Sequence, residues 1–430
     1  MHYTEQNKER VVLISIDKDS QGDRDLDELS LLIDTAGTVE VGRIIQKRES
    51  MHAGHYLGKG KLDEVLVLVE ETNADAVCAD DELTASQQKN LAKKLGVKII
   101  DRTMVILDIF AARAATAEGK AQVELAQYRY RLSHLIGLGV VLSRQAGVAA
   151  RGGVGNRGPG EKKLELDRRH IRSRIDQLSR ELKEIRENRS EARKKRLKNK
   201  IPVIALVGYT NAGKSTLLNA LTGSDVFAED KLFATLDTTT RKTTLPEGGQ
   251  EVLFTDTVGF INKLPHGLIK AFHATLEELT FADVLLHVVD FSAVDHRMQM
   301  EVIEETLKSL KIFDKPIITV LNKIDKTDAA SEVHNGNTVQ ISAKIGTNLD
   351  GLLVTVEKVL LSLNQKIKLL LPYSEGALLN KIHNTCKVLI CENTEDGTYM
   401  EIYATEEIMN RLEKWILSDR MLLQSTPNTT

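Results

Sequence analysis

The chain has 430 residues, 42% hydrophobic and 28% charged, with a formal net charge of −3. These values exclude disordered and fibrous classes and suit a folded protein of about two to four domains. No run approaches the ~20 apolar residues needed to cross a bilayer, and MHYTEQNKER lacks the apolar core of an export signal, so a cytoplasmic location is expected. Cys78, Cys386 and Cys391 are odd in number and lack zinc-ligand spacing; buried, reduced thiols are expected.

In chain order, Val11–Ile16, Thr38–Ile45, Ala74–Asp80 and Val97–Asp101 read as strands. Between them LDELSLLIDTAG, KGKLDEVLVLVEETN and TASQQKNLAKKLG read as helices, the last with Thr84 as N-cap and Gly96 at its end. This alternation predicts a small parallel α/β domain over residues 1–102. From Thr103 the strand signal stops. Leu125, Tyr128, Leu132, Leu135 and Leu142, then Leu164, Ile171, Ile175, Leu178, Leu182 and Ile185, recur at heptad spacing and predict an antiparallel helical hairpin over 103–200.

Its tip, 144–161, contains GVGNRG, which matches the dinucleotide-binding pattern G-x-G-x-x-G. That reading fails, because the motif follows no strand and Pro159 directly follows its last glycine. Arg144 to Lys200 holds 19 Lys plus Arg against 8 Asp plus Glu, an excess of eleven positive charges in a chain whose remainder carries fourteen negative ones. Such a segment suits a polyanionic partner and argues against a regulatory role on proteins or membranes.

A second α/β region, 201–365, carries strands at Val203–Gly208, Val252–Asp256, Val284–Asp290, Ile317–Asn322 and Thr338–Ser342. Within it GYTNAGKS (Gly208, Tyr209, Thr210, Asn211, Ala212, Gly213, Lys214, Ser215), followed by Thr216, fits a phosphate loop. Its glycines let backbone N–H groups surround phosphates, Lys214 reaches the β/γ phosphates, and Ser215 is placed for Mg²⁺. DTVG (Asp256, Thr257, Val258, Gly259) ends another strand, putting Asp256 behind the metal and the Gly259 N–H near the γ-phosphate. In NKID (Asn322, Lys323, Asp325) the Asp325 carboxylate can accept from guanine N1–H and N2, donors that adenine lacks. SAK (Ser342, Ala343, Lys344) offers backbone donors to guanine O6.

Between phosphate loop and DTVG, Glu229–Thr243 is threonine-rich and poor in regular period, as expected of a switch loop. Phe233, Ala234, Thr235, Leu236 and Asp237 are the expected nucleotide-contacting stretch, and Thr235 is the preferred metal threonine over Thr238, Thr239 and Thr240. Lys214, Thr235 and Gly259 are the expected catalytic groups. Phe260 stands where Ras-like enzymes have a water-orienting glutamine; a phenyl ring cannot do that work. Residues 366–430 read as a small α+β domain: a helix in EGALLNKIHN, a strand pair KVLICEN and TYMEIYA, a closing helix, and a polar QSTPNTT end.

Together the motifs resemble the HflX family of bacterial ribosome-associated GTPases. The likeness runs through YLGKGKLDE, DRTMVILDIFAARAATAEGKAQVELAQ, RGPGE, GYTNAGKSTLLNAL, LFATLD, DTVGFI and PYSEGALL. The resemblance implies Mg²⁺ on Ser215 and Thr235, ribosome-stimulated GTP hydrolysis, and binding of the large (50S) subunit by the first domain and hairpin. It also implies splitting of stalled or idle 70S ribosomes under stress; the alternative is a GTP-timed assembly factor that splits nothing. Arg144, Arg151, Arg157, Lys162 and Lys163 become candidates for contact with ribosomal RNA near the peptidyl-transferase region. A monomer is the default expectation. The chain departs from the family in Thr238, where proline is usual, in KKLE after RGPGE, and in a longer tip, Ala146–Asn156, which suggests an added role on antibiotic-stalled ribosomes.

Overall fold

The computed structural model describes all residues except 1–7, 19–21, 150–158, 200, 224–231, 247–248, 264, 266–267, 269–277, 313–314, 328–335, 405 and 418–430. Arg151, Arg157 and the QSTPNTT end therefore lie outside the described residues. So do the side chains of Arg144, Lys162 and Lys163, whose backbones are helical.

The chain begins with β1 (Arg10–Asp17), α1 (Gly22–Thr35), β2 (Val39–Lys47), α2 (Lys59–Thr72), β3 (Ala76–Ala79), α3 (Ala85–Leu95), β4 (Lys98–Asp101) and α4 (Arg102–Arg113). The four strands form a parallel sheet in the order β2-β1-β3-β4. In β1 every residue after Arg10 is buried, as a strand covered on both faces requires. Thr84 and Gln87 form a reciprocal cap at the start of α3, and Gly96 closes it with φ 72°. Asp101 ends β4 and starts α4 by accepting from the Met104 N–H at 2.9 Å.

α5 (Ala117–Ala149) and α6 (Pro159–Asn199) are long helices that run antiparallel. Arg174 grips Glu124 through Nε at 2.9 Å and Nη2 at 3.1 Å, Arg168 donates to the Leu135 carbonyl at 2.8 Å, and Leu125, Leu178 and Leu182 form an apolar seam. Two contacts moor α5 to the first sheet. Tyr130 donates to Asp101 at 2.8 Å, and His134 Nε2 lies 3.0 Å from the Leu83 carbonyl.

The central unit comprises β5 (Val203–Gly208), α7 (Lys214–Thr222), β6 (Thr239–Thr244), β7 (Glu251–Asp256), β8 (Val284–Asp290), α8 (His296–Ser309), β9 (Ile317–Asn322), β10 (Thr338–Gln340) and α9 (Leu349–Ser362). Its sheet order is β10-β9-β8-β5-β7-β6, parallel except for β6. Thr239–Thr243, expected within the switch loop, form an edge strand. TTRKTT is rich in β-branched residues, and Thr240 meets Thr255 across the pair at 3.0 Å.

The last unit is β11 (Gln365–Leu371), α10 (Gly376–Thr385), β12 (Lys387–Thr394), β13 (Gly397–Ala404) and α11 (Glu406–Leu412), with the antiparallel order β11-β13-β12. β11 adds a third strand to the expected pair, its Ile367, Leu369 and Leu371 facing the core. The cysteines are not all buried, contrary to what the composition led one to expect. Cys78 is buried, Cys386 is half-buried, and Cys391 is exposed on the edge strand β12; none of the three forms a disulfide. Among the described residues no helix is long and apolar enough to cross a membrane.

One apolar cluster spans the first and central units. It joins Leu26 and Leu29 of α1 and Phe110 of α4 with Tyr209, Phe233, Leu236, Phe260 and Ile261. The first domain is thus packed directly against the residues expected to sense the nucleotide.

Candidate nucleotide-binding site

β5 ends at Gly208, where an added Cβ would lie 2.3 Å from the Val288 carbonyl oxygen, so the chain must turn there without a side chain. The turn delivers the N-terminus of α7 to a cavity of about 360 Å³. Its walls comprise Thr210, Asn211, Gly213, Lys214, Ser215 and Thr216 from the turn; Phe233, Ala234 and Thr235; Thr257 and Gly259; and Asn322, Lys323, Asp325, Lys326, Ala343 and Lys344. Segments distant in sequence converge on one space.

Lys214 is buried, and its ammonium donates to the Gly208 and Tyr209 carbonyls at 3.1 and 2.9 Å. Burial pushes its pKa down to about 8, against the pull of Asp256. Asp256 is fully buried, and burial raises its carboxyl above the usual range despite Lys214 and the Ser215 hydroxyl, which donates to it at 2.7 Å. Thr235 Oγ1 lies 2.7 Å from Ser215 Oγ. Asp256 Oδ1 is buried without a protein partner. Two hydroxyls beside a carboxylate with an unused oxygen make an all-oxygen donor set that fits a hard divalent cation. Of the threonines weighed for this role, Thr235 is the one beside Ser215, whereas Thr239 and Thr240 belong to β6.

Gly259 runs against the phosphate loop so closely that a Cβ would fall 2.9 Å from Thr210 Cα and 3.0 Å from Lys214 Nζ. The backbones are zipped there: the Thr210 N–H donates to the Phe260 carbonyl at 2.7 Å and the Phe260 N–H to the Gly208 carbonyl at 3.1 Å. Phe260 itself is 2% exposed and packs in the shared core, away from the cavity wall. At the opposite end, Ser342 donates to Asp325 at 2.6 Å, which holds that carboxyl below the usual range and fixes it as an acceptor. Asn322 donates to the Ala212 carbonyl at 2.8 Å and accepts from the Ala343 N–H at 3.0 Å.

Several residues expected at the nucleotide do not line the cavity. Gly208, Ala212, Asp256 and Ser342 lie beneath it as supports, while Leu236 and Val258 point into the core. Tyr209 turns its ring toward the first domain, and Asp237 faces α5. Lys326, which the sequence reading passed over, does line the cavity, in the turn directly after NKID.

The sequence reading also missed a charge network that joins the domains. The Tyr209 hydroxyl donates to Glu28 of α1 and accepts from the Asn262 N–H at 2.6 Å. Arg102, at the start of α4, donates to Asp80 at 2.7 Å, to Glu28, and to the Asn262 carbonyl at 3.0 Å. Lys263 bridges Asp25, at 2.6 Å, and Asp80. Burial raises the Glu28 carboxyl, with Arg102 and Tyr209 opposing. Asp80 directly follows β3 and Asp17 ends β1, so Lys263 enters the crevice at the carboxyl ends of adjacent parallel strands, where such sheets commonly receive ligands.

A buried lysine and a serine on a glycine-bounded turn, a buried aspartate behind an oxygen cluster, a threonine beside the serine and an aspartate held as an acceptor are the arrangement of a P-loop GTPase. Models of known families match along the chain: GTP-binding GTPase N-terminal over residues 23–111, GTP-binding GTPase Middle Region over 113–196, and 50S ribosome-binding GTPase over 203–323. A GTPase HflX from Lacrimispora saccharolytica is 50% identical over 414 residues, covering 94% of this chain and 96% of its own. The GTPase HflX of Caldanaerobacter subterraneus subsp. tengcongensis is 48% identical, with 96% and 95% covered. A crystal structure of SsGBP with GDP is similar at 24% identity over 82% of this chain and 98% of that one, with a TM-score of 0.45. The chain belongs to the GTPase HflX family.

Proposed function

We propose that this GTPase binds the large ribosomal subunit through its first domain and the hairpin of α5 and α6, and that its GTP-bound form dissociates stalled or idle 70S ribosomes in the cytoplasm. The observation that carries this reading is the excess of eleven positive charges from Arg144 to Lys200, a stretch that takes in all of α6, together with the packing of the base of α5 against the segments proposed to sense the nucleotide. A basic helical arm suits ribosomal RNA, and Arg144, Arg151, Arg157, Lys162 and Lys163 are its proposed contacts. The match of the central domain to a 50S ribosome-binding GTPase supports the choice of polyanion.

Magnesium is the proposed ion, held with the nucleotide by Ser215 and Thr235, where it would neutralise phosphate charge. Lys214 holds the β/γ phosphates, the Gly259 N–H faces the γ-phosphate, and Asp325 reads guanine. Because Phe260 is packed away, the attacking water must be positioned by another group, and docking on the ribosome is the proposed trigger.

The test mixes purified protein and a non-hydrolysable GTP analogue with 70S ribosomes, followed by sedimentation. Free subunits are expected, and Lys214→Ala should abolish them. Binding without free subunits would leave a GTP-timed assembly or attachment factor instead. Ribosome affinity should fall steeply with salt; a flat response contradicts an RNA-binding hairpin. If the longer tip aids antibiotic-stalled ribosomes, deleting Ala146–Ala150 should reduce survival under such drugs; unchanged survival and splitting removes that role.

A further inference from the structure

Asp237 lies two residues beyond Thr235, separated by Leu236, which is 3% exposed. Its carboxylate turns away from the nucleotide. One oxygen accepts from the Ala115 and Thr116 N–H groups, both at 2.9 Å, and the other accepts from the Thr116 hydroxyl at 2.6 Å. Thr116 caps α5, its hydroxyl accepting from the Gly119 N–H at 2.9 Å. Asp237 therefore completes, from another domain, the N-terminal cap of the hairpin's first helix, where a negative charge also meets the positive end of the helix dipole.

Two further observations show that the approach is built in. Gly119, one turn into α5, leaves room for it; a Cβ there would sit 2.3 Å from Asp237 Oδ1. On the near side of Thr235, Phe233 packs edge-to-face on Phe110 of α4, ring centroids 4.7 Å apart. The segment carrying Thr235 is thus anchored on both flanks to the junction between α4 and α5.

We propose that Asp237 is a positioning residue that ties closure of Thr235 over Ser215 to the base of the hairpin. With only a buried leucine between them, Thr235 cannot withdraw from Ser215 without drawing Asp237 off the helix cap. The cap therefore favours the closed arrangement that a triphosphate requires, and a diphosphate, which does not need Thr235, gains nothing from it. By linkage, whatever holds the hairpin base in place tightens GTP binding by the same factor by which GTP tightens its hold. This rests on the proposed role of Thr235 at the metal.

The experiment measures equilibrium binding of fluorescent GDP and of a fluorescent non-hydrolysable GTP analogue to the full chain. Asp237→Asn should weaken the GTP analogue about five- to tenfold, the scale of one ordinary hydrogen bond, since the amide oxygen can keep part of the cap, with GDP affinity unchanged. A merely structural defect would weaken both. Gly119→Ala adds a good helix former far from the nucleotide, so it should fold normally yet reproduce the same selective loss. Its effect should vanish in an Asp237→Ala background, where the methyl no longer meets a carboxylate. Thr235→Ala is the reference. If it lowers GTP-over-GDP preference while Asp237→Asn and Gly119→Ala do not, the coupling is overturned and the role of Thr235 stands. If Thr235→Ala leaves the preference intact, both fall.

Discussion

Replacing Arg102 with methionine tests whether the buried charge network holds the domains together. Arg102 is 1% exposed, and its guanidinium serves Asp80, Glu28 and the Asn262 carbonyl at once. Removing one partner of a buried pair costs ~3–5 kcal/mol, because the partner charge stays behind. Here the loss should be about 3 kcal/mol, since Asp80 keeps Lys263 and Glu28 keeps the Tyr209 hydroxyl. Methionine retains most of the apolar stem, so a cavity is not the cause. A chain of several domains does not unfold in one step, so the assay is the first calorimetric transition, expected to fall by roughly 6–12 °C near neutral pH. The pH dependence provides a second check. Burial already raises the Glu28 carboxyl, with Arg102 opposing. Without Arg102 the folded state holds a proton that the unfolded carboxylate releases, so the deficit should shrink toward about pH 5 and grow toward about pH 8. Adding Glu28→Gln should recover part of the loss. A fall under about 2 °C, or a deficit independent of pH, would refute the reasoning.

Three other outcomes are expected. Asp325→Asn should lower GTP affinity about a hundredfold or more by replacing an acceptor with a donor against guanine N1–H, measured by calorimetric titration; a change under about tenfold contradicts the assignment. Phe260→Gln should give no gain in GTP turnover and should lower thermal stability, because the side chain at this position packs in the core, away from the cavity wall; a several-fold faster rate would show that the position can reach the water. Burial, with Lys214 nearby, pushes the His287 pKa from 6.5 down to about 4, so the folded state excludes a proton that the unfolded state binds between those values. Stability should rise by about 3 kcal/mol as pH rises through that window, and His287→Gln should flatten the slope in urea titrations.

Much of this was legible because the signals are local. Alternating apolar stretches in the first hundred residues are β1 to β4 with their helices, and Thr84 with Gln87 spells out a cap within four residues. Ordered motifs following strands marked the converging loops. What escaped is long-range. Arg102 meets Asn262 and Lys263 meets Asp80 across 160 and 183 positions, and no periodicity records which distant carboxylate a cation will find. Side-chain direction was equally hidden. Tyr209 and Asp237 sit inside the expected nucleotide-binding stretches by spacing, yet Tyr209 turns toward the first domain and Asp237 toward the start of the hairpin. β6 and β11 are outer strands of their sheets, where exposed polar residues dilute the alternation.

Asn322 has a consequence for how freely this site can change. Its amide holds the Ala212 carbonyl with one atom and the Ala343 N–H with another, and Gly213, at φ 91°, leaves it room, since a Cβ there would fall 2.3 Å from Nδ2. The turn proposed to hold phosphate and the loop proposed to face the base therefore share a single side chain. The two loops are not interchangeable parts: a phosphate loop transplanted with alanine at 213 would displace the strap, and the fault would surface at the far end of the ligand, as a lost preference for guanine.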